Sequence, residues 1–334
     1  MYTIIETNAQ AANFHLFVDL PKSLYPADSV RFRLPETLPT EWLAGCFVLL
    51  EDGAPVARAS LYDNPHLRYQ DKKTFSIGNY EAQAGKDLSL FFAHLSTVAS
   101  RQGVEYLLGN MNGSTWESYR FSLHQNSPNF FLEPYHHLYY NNNFIEAGFE
   151  VVERYFSSLD KHIIHNQPEV LALEAKFKEM GVTFRGLDLS QYDAELERVY
   201  AYNALAYQTN FLYSPISLQA FMHKYALLQK IINPNFVILA EDKMGELVGC
   251  FFCVQDFWNT HEKGLVVKSA SRHPDKQWRG LGLVIGNIVC RNAVIEGFTH
   301  LIHAFLREDG TSTSLSQTYS GEVYKQYALY GKAL

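Results

Sequence analysis

The sequence predicts an α/β (α+β) fold in which one order of strands and helices is written twice along 334 residues. Three observations carry this. Two hairpin patterns match: residues 47–53 then 56–62, joined through Asp52-Gly53, and residues 237–242 then 247–254, joined by a turn at Met244-Gly245. Each hairpin is followed by a short strand and an amphipathic helix that stops at a glycine, Gly103 or Gly297, as a left-handed C′ position favours. The spacing between copies is also nearly constant, 190 residues from Asp52 to Asp242 and 194 from Gly103 to Gly297. A repeat of this size means two domains of one architecture rather than a solenoid.

The elements follow in order. In the first copy a strand at 74–80 leads to a helix at 88–102, where Leu88, Phe91, Phe92, Leu95, Val98 and Ala99 share one face. A strand at 106–108 comes next. Tyr139-Tyr140, 144–149 and 151–156 close the first copy. Early helices are expected at 11–24 and 40–44. In the second copy the early helices fall at 192–208 and 217–230. A strand at 264–271, a helix at 283–295 and a strand at 301–305 follow, and Tyr319, Tyr324 and 327–330 close the chain. These readings divide the chain into domains at 1–160 and 182–334, with a linker at 161–181 that holds a short helix at 169–180.

Composition excludes several function classes. Hydrophobic residues at 47% and charged residues at 19% suit globular domains with real cores. A net charge of −7 speaks against a nucleic-acid partner, which needs a basic face. No apolar run approaches the roughly 20 residues of a membrane span. The start, Met1 to Glu6, lacks the basic and apolar pattern of a signal peptide, so a cytoplasmic protein is expected. Cys250 and Cys253 have C-x-x-C spacing, but in a strand they face opposite sides, which predicts buried, inert thiols. His136-His137 diverge, and His162 and His165 lack a clear third ligand, so no metal is expected. A homodimer stays open.

Residues 274–283, Pro-Asp-Lys-Gln-Trp-Arg-Gly-Leu-Gly-Leu, are the most informative ten. They lie between a strand and a helix, where backbone N–H groups and the helix dipole favour an anion. Gly280 and Gly282 let the backbone approach a phosphate closely, and Lys276 and Arg279 supply positive charge. An ordinary strand-to-helix connection is the plain alternative. A dinucleotide loop is set aside, because the third glycine and the distant acid are missing.

Pro274, Gln277, Gly280 and Gly282 are in register with P-x-x-(Q/R)-x-x-G-x-(G/A), and the segment resembles the coenzyme A pyrophosphate loop of the GCN5-related N-acetyltransferases (GNAT). The resemblance implies two tandem GNAT-like domains, each a mixed, mostly antiparallel sheet flanked by helices. It implies acetyl-CoA, or another acyl-CoA, as co-substrate. The contacting residues would be Ala270, Ser271, Arg272, Gln277, Trp278, Arg279, Gly280, Leu281, Gly282, Leu283 and Ser312, with Arg272 standing where the family has an aliphatic residue. A tyrosine general acid would be Tyr319 or Tyr324. For the base, Glu308, Asp309 and His303 are all open. The corresponding link in the first copy, residues 81–87, has one glycine and an acidic flank, so that copy is expected to have lost coenzyme A.

The first copy carries a polar stretch at 109–121. Asn110, Asn112, Ser114, Trp116, Tyr119 and Arg120 read as a substrate-recognition pocket. The alternative is a helix starting at Trp116, capped by Ser114 or Thr115. The leading expectation is an acyl-CoA-dependent N-acyltransferase acting on an amine of a small molecule or peptide. A non-catalytic coenzyme A- or metabolite-binding module is the alternative. An aminoacyl transferase of cell-wall precursors is a third reading, which the negative charge disfavours.

Overall fold

The computed structural model describes residues 1–308, 310 and 321–334. The chain divides into two compact units. Unit one is Met1–Arg154, Phe211–Ser214 and Lys325–Leu334, and unit two is Tyr155–Asn210 and Pro215–Tyr324.

Unit one is built on a mixed sheet. Its strands in chain order are β1 (Tyr2–Thr7), β2 (Leu43–Glu51), β3 (Ala54–Tyr62), the short β4 (Arg68–Tyr69), β5 (Lys72–Ala82), β6 (Tyr106–Gly109) and the short β7 (Phe121–Ser122). β1, β2, β3 and β5 pair antiparallel in that sequence, and β6 pairs parallel to β5. The β2–β3 turn places Asp52 and Gly53 at φ +50 and +86, the conformation an Asp-Gly hairpin requires. Helices α1 (His15–Val18) and α2 (Leu20–Leu24) precede β2, α3 (Ser89–Ser100) joins β5 to β6, and α4 (Tyr140–Glu146) comes later. α3 buries Phe91, Phe92, Leu95 and Ala99, the face its spacing predicts, against Phe75, Ile77, Leu107 and Phe144. The expected helix at 40–44 does not form. Trp42 takes φ +63 and Leu43 already pairs with Tyr62, because strand pairing satisfies that backbone better than one isolated turn.

Unit two repeats the plan. β8 (Glu150–Asp160) leads to α5 (Pro168–Glu179), β9 (Thr183–Gly186), α6 (Tyr192–Ala206) and α7 (Leu218–Ala226). β10 (Val237–Glu241), β11 (Leu247–Gln255), β12 (Gly264–Arg272), α8 (Leu281–Ile295) and β13 (His300–Arg307) follow. β9, β10, β11 and β12 pair antiparallel in turn, and β12 runs parallel to β13. α8 packs Val284, Ile285, Val289 and Ala293 into a core with Phe236, Phe251 and Leu265. All four cysteines are free and buried, and burial pushes the Cys250 and Cys290 thiols up to about 12.

The last strands differ from sequence order. The segment expected to close the first copy, in β8, pairs with β13: Tyr155↔Arg307 through Asp160↔Leu301. The final strand, β14 (Glu322–Ala333), pairs with β6 of unit one, Tyr330↔Gly109 to Ala333↔Tyr106. Side chains anchor it there. Tyr330 Oη donates to Asn141 Oδ1 at 2.9 Å and Lys332 Nζ to the Ala147 carbonyl at 2.7 Å. Both strands carry apolar, aromatic-rich patterns, so local pattern alone does not choose between the edges.

Candidate functional site

In unit two, β12 and β13 pair from Gly264↔His300 to Val267↔His303, and there their ladder ends. Beyond it β12 runs on to Arg272 against β11, and β13 runs on to Arg307 against β8. A fork therefore opens between two parallel strands. Two irregularities flank it. The β11–β12 register skips Lys268, and the β8–β13 register shifts between His303 and Leu306, with Phe305 at φ +60. Bulges of this kind re-aim a strand and end its pairing. Lys268 Nζ lies 4.5 Å from the centre of the Phe305 ring. Ser269, Ala270 and Ser271, which face the fork, pair on their other side with β11.

The glycine loop leads from β12 into α8. Asp275 accepts the Gln277 N–H at 3.0 Å and starts a single 3-10 turn, Lys276–Trp278. Trp278 turns inward, is 6% exposed, and lies near-parallel to Phe177 at 6.4 Å. With Trp278 anchored, Lys276, Gln277 and Arg279 are exposed. Gly280 takes φ +93 at the helix N-cap, where an L side chain would be strained, and no side chain caps the helix. The amides of Leu281 and Gly282 stand in the first turn, where helix N–H groups have no partner within the helix. Arg272 folds onto the loop, donating through Nη1 to the His273 carbonyl at 2.7 Å and the Asp275 carbonyl at 3.4 Å. An uncapped helix start, a glycine at positive φ and three cations converge on one turn, which suits a phosphate-bearing ligand.

The expected contact residues fall on these two features. Ala270, Ser271 and Arg272 lie along the fork edge of β12. Gln277, Trp278, Arg279, Gly280, Leu281, Gly282 and Leu283 form the loop and the first turn of α8. The side chains of Trp278 and Leu281 belong to the core, so their backbone is what they offer a ligand. Glu308 is exposed one residue beyond β13, and Tyr324 is half-buried in β14. His303 sits on β13 opposite Val267, and burial lowers its imidazole to about 4, so it is neutral near pH 7. Ser312, Tyr319 and Asp309 lie outside the described residues.

Sequence reasoning missed two tyrosines. Tyr202 on α6, 5% exposed, and Tyr207 just beyond it bring phenols beside Ser271, and Tyr207 also beside Ser269. Burial pushes both phenols up. Tyr192, Leu196, Val199 and Tyr202 stand at helical spacing on the buried face of α6, a spacing that does not name the strand it meets.

Unit one has the same fork with different contents. β5 and β6 pair from Thr74↔Tyr106 to Ile77↔Gly109, then part. The chain beyond β6 fills the gap: Met111 N–H donates to the Ile77 carbonyl at 2.8 Å, and Asn112 Oδ1 accepts the Asn79 N–H at 2.9 Å. Tyr25 and Tyr140 donate to Glu81 Oε2 at 2.8 and 2.7 Å, Arg31 Nε donates to Oε1 at 2.9 Å, and Tyr139 donates to the Ala82 carbonyl at 2.7 Å. At the start of α3, Asp87 accepts the Ser89 N–H at 3.0 Å. The exposed Asp87, one residue ahead of the N-cap Leu88, thus engages a first-turn amide of α3, whereas α8 starts at the uncapped Gly280.

The polar stretch after β6 forms a tight loop and no helix. Met111 bridges Tyr119, and Arg120 N–H donates to the Asn110 carbonyl at 2.7 Å. Ser114 Oγ accepts the Trp116 N–H at 3.3 Å, the bond a cap would make, but closure of the loop leaves no room for helical turns. Ser114 and Asn112 are buried, and Arg120 stacks its guanidinium on Tyr119 at 3.8 Å. Trp116 Nε1 donates to the Ser214 carbonyl at 2.8 Å, and its ring meets Tyr213 edge-on. Asn110 Oδ1 is buried without a partner.

Among the described residues no three His, Cys, Asp or Glu gather as a metal site, and no helix is long and apolar enough to cross a membrane. No protein-family model matches the chain, and no curated protein does. Solved structures do. A GCN5-related glucosamine N-acetyltransferase region of a fungal multi-domain β-N-acetylglucosaminidase superposes at TM-score 0.58 and 11% identity, over 99% of this chain and 38% of that one. A GCN5-related N-acetyltransferase from Sphaerobacter thermophilus gives 0.51 at 13%, over 99% and 95%. A tandem GNAT protein from the clavulanic acid biosynthesis pathway gives 0.51 at 9%, over 100% and 98%. At these identities the likeness is one of fold. The chain has the tandem GCN5-related N-acetyltransferase fold.

Proposed function

We propose that this chain is an acyl-CoA-dependent N-acyltransferase that moves an acetyl group from acetyl-CoA to an amine of a small molecule or peptide, with the donor bound by unit two. The observation that carries the reading is the fork between β12 and β13 with the uncapped, glycine-led start of α8 following its longer strand. The residues fit the donor. First-turn amides of α8 with Lys276, Arg279 and Arg272 suit a pyrophosphate. The edge of Ser269 to Ser271, unpaired on the fork side among the described residues, offers backbone groups to the amide-bearing arm and to the acyl carbonyl. Acetyl-CoA supplies the activated acyl group.

The chain's own residues would do the rest. N–H groups at the fork edge would hold charge developing on the carbonyl oxygen. The attacking amine must be neutral and must lose a proton, and the leaving sulfur must gain one. Glu308 is exposed and suited to exchange a proton with water. Tyr324, and Tyr319 in the preceding segment, are the proposed acids. Within unit one, Asn110, Trp116, Tyr119 and Arg120 remain proposed ligand contacts of that unit, whereas Asn112 and Ser114 are engaged in shaping their own loop.

The test is calorimetric titration of acetyl-CoA into the full chain, followed by an acyl-transfer assay across a broad amine panel. Binding with transfer supports the reading. Binding without transfer to any amine leaves the non-catalytic module in its place. Absence of binding removes the donor site.

A further inference from the structure

The helix between the two copies is built into the loop. α5 begins at Pro168, whose missing N–H costs nothing in a first turn, and it buries Val170, Glu174 and Phe177. Its inward face meets the glycine loop at two points. Phe177 stacks on Trp278, and a Cβ placed on Gly280 would lie 3.5 and 3.7 Å from the Leu173 methyls. Polar bonds fix α5 to α8. Glu174, 6% exposed, accepts from Lys178 Nζ at 2.7 Å and from Arg291 Nη1 at 3.4 Å. Ahead of the helix, Asn166 N–H donates to Asn287 Oδ1 at 2.6 Å, and Arg291 Nη1 reaches Asn166 Oδ1 at 3.4 Å.

Backbone bonds close the turn, Trp278 N–H to the Asp275 carbonyl at 3.2 Å and Arg279 N–H to the Lys276 carbonyl at 3.1 Å, and the Asp275 N–H donates to His273 Nδ1 at 3.1 Å. The loop also rests on the side chains of Asp275 and Arg272, both near its start. Trp278 is its one fully inward side chain, and Phe177 is the ring against it. Gly280, two residues on, can adopt many backbone conformations, and only one presents the α8 amides to an anion. A loop left to wander would lose that order and regain it only at a cost in affinity.

We propose that α5 is a positioning element of the donor site: Phe177 through Trp278, and Leu173 against Gly280, hold the glycine loop in its anion-binding shape. This rests on the reading of that loop as the acyl-CoA site. Neither residue touches the donor. Both act through the loop, so their loss shows in donor affinity and not in turnover at saturation.

The experiment uses the full chain and acetyl-CoA as probe. Calorimetry compares the natural protein with Phe177→Ala, Phe177→Leu and Leu173→Ala, with near-ultraviolet circular dichroism as the check on folding. Phe177→Ala is expected to weaken binding about tenfold and Phe177→Leu to restore most of it. For acetyl-CoA, KM should rise while kcat at saturation and acceptor KM stay unchanged. A merely structural defect would instead lower the active fraction and leave Kd alone. A folded Phe177→Ala that binds like the natural protein overturns the proposal. Should Phe177→Ala not fold, the half-buried Leu173 decides: a several-fold loss in Leu173→Ala supports the brace, and unchanged affinity ends it. If the natural protein does not bind acetyl-CoA, the donor-site reading itself fails, an outcome distinct from failure of the brace.

Discussion

The backbone N–H of Asn79 donates to the side-chain oxygen of Asn112 at 2.9 Å, across the fork of unit one. In the corresponding fork of unit two, Ser269, Ala270 and Ser271 meet no strand on that side among the described residues. The crossing is close enough to demand glycine at Gly78, where a Cβ would come within 2.5 Å of Asn112 Oδ1 and 2.7 Å of the Met111 carbonyl. In unit one the chain's own residues thus occupy the fork, and the bond is structural.

Asn112→Ala should therefore act on stability. It leaves the Asn79 N–H buried and unpaired, which costs about 1–3 kcal/mol. Urea unfolding of the full chain reads this directly. Acetyl-CoA should titrate at one site per chain before and after the change. A second equivalent site in the natural protein would contradict the filled fork.

Charge at the glycine loop gives the second expectation. Arg279 is exposed beside the start of α8, so Arg279→Glu keeps the fold and reverses a charge where an anion would sit. Donor affinity should fall about tenfold at low salt, and the difference should shrink as salt rises toward about 1 M. Titrations at the two salt levels check it. A loss independent of salt would mean a distorted loop and not a lost charge.

The sequence made the loop legible because glycine placement is a local constraint: Gly280 needs positive φ, and no other residue takes it cheaply. The hairpins, the face of α3 and the presence of α8 were legible for the same reason, since period and turn chemistry act over a few residues. The fork was not, because it depends on where pairing between Val267 and His303 stops. Tyr202 and Phe177 were not legible as neighbours of the site because each meets a partner distant in sequence, Ser271 and Trp278. The exchange of β8 and β14 was also hidden, since edge choice is settled by the whole sheet.

Acid should weaken unit one through His136. The ring is buried and Nε2 accepts the Ser122 N–H at 2.8 Å, so protonating that nitrogen breaks the bond. Burial lowers the imidazole from 6.5 to about 3. The unfolded chain then binds the extra proton across that window, so its stabilising effect is complete above about pH 6.5 and is lost as pH falls toward 3. His136→Gln should be less stable than the natural protein near neutrality, and the gap should close as pH falls. Urea midpoints measured against pH test the slope; parallel curves would exclude His136 as its source.

Lys325 on β14 and Glu133 form an ion pair with both side chains fully buried, Nζ to Oε2 at 3.4 Å, while Tyr327 donates to Oε1 at 2.8 Å. Burial pushes the Glu133 carboxyl up and the Lys325 ammonium down, so desolvation outweighs mutual attraction for each. The signs follow. The folded state holds the Glu133 proton more tightly, so stability falls as pH rises from the ordinary carboxylate range to the raised value. It holds the Lys325 proton less tightly, so stability falls as pH drops from the ordinary lysine range to the lowered value. Between these windows the pair is a net cost, yet breaking it is worse. Lys325→Met should lose about 3–5 kcal/mol by stranding a carboxylate, and Lys325→Met with Glu133→Gln should recover most of that. A double-mutant cycle in urea measures the coupling. A coupling near zero would mean that the ion pair does not hold β14 in unit one, leaving Tyr327, Tyr330 and Lys332 among its side-chain anchors there.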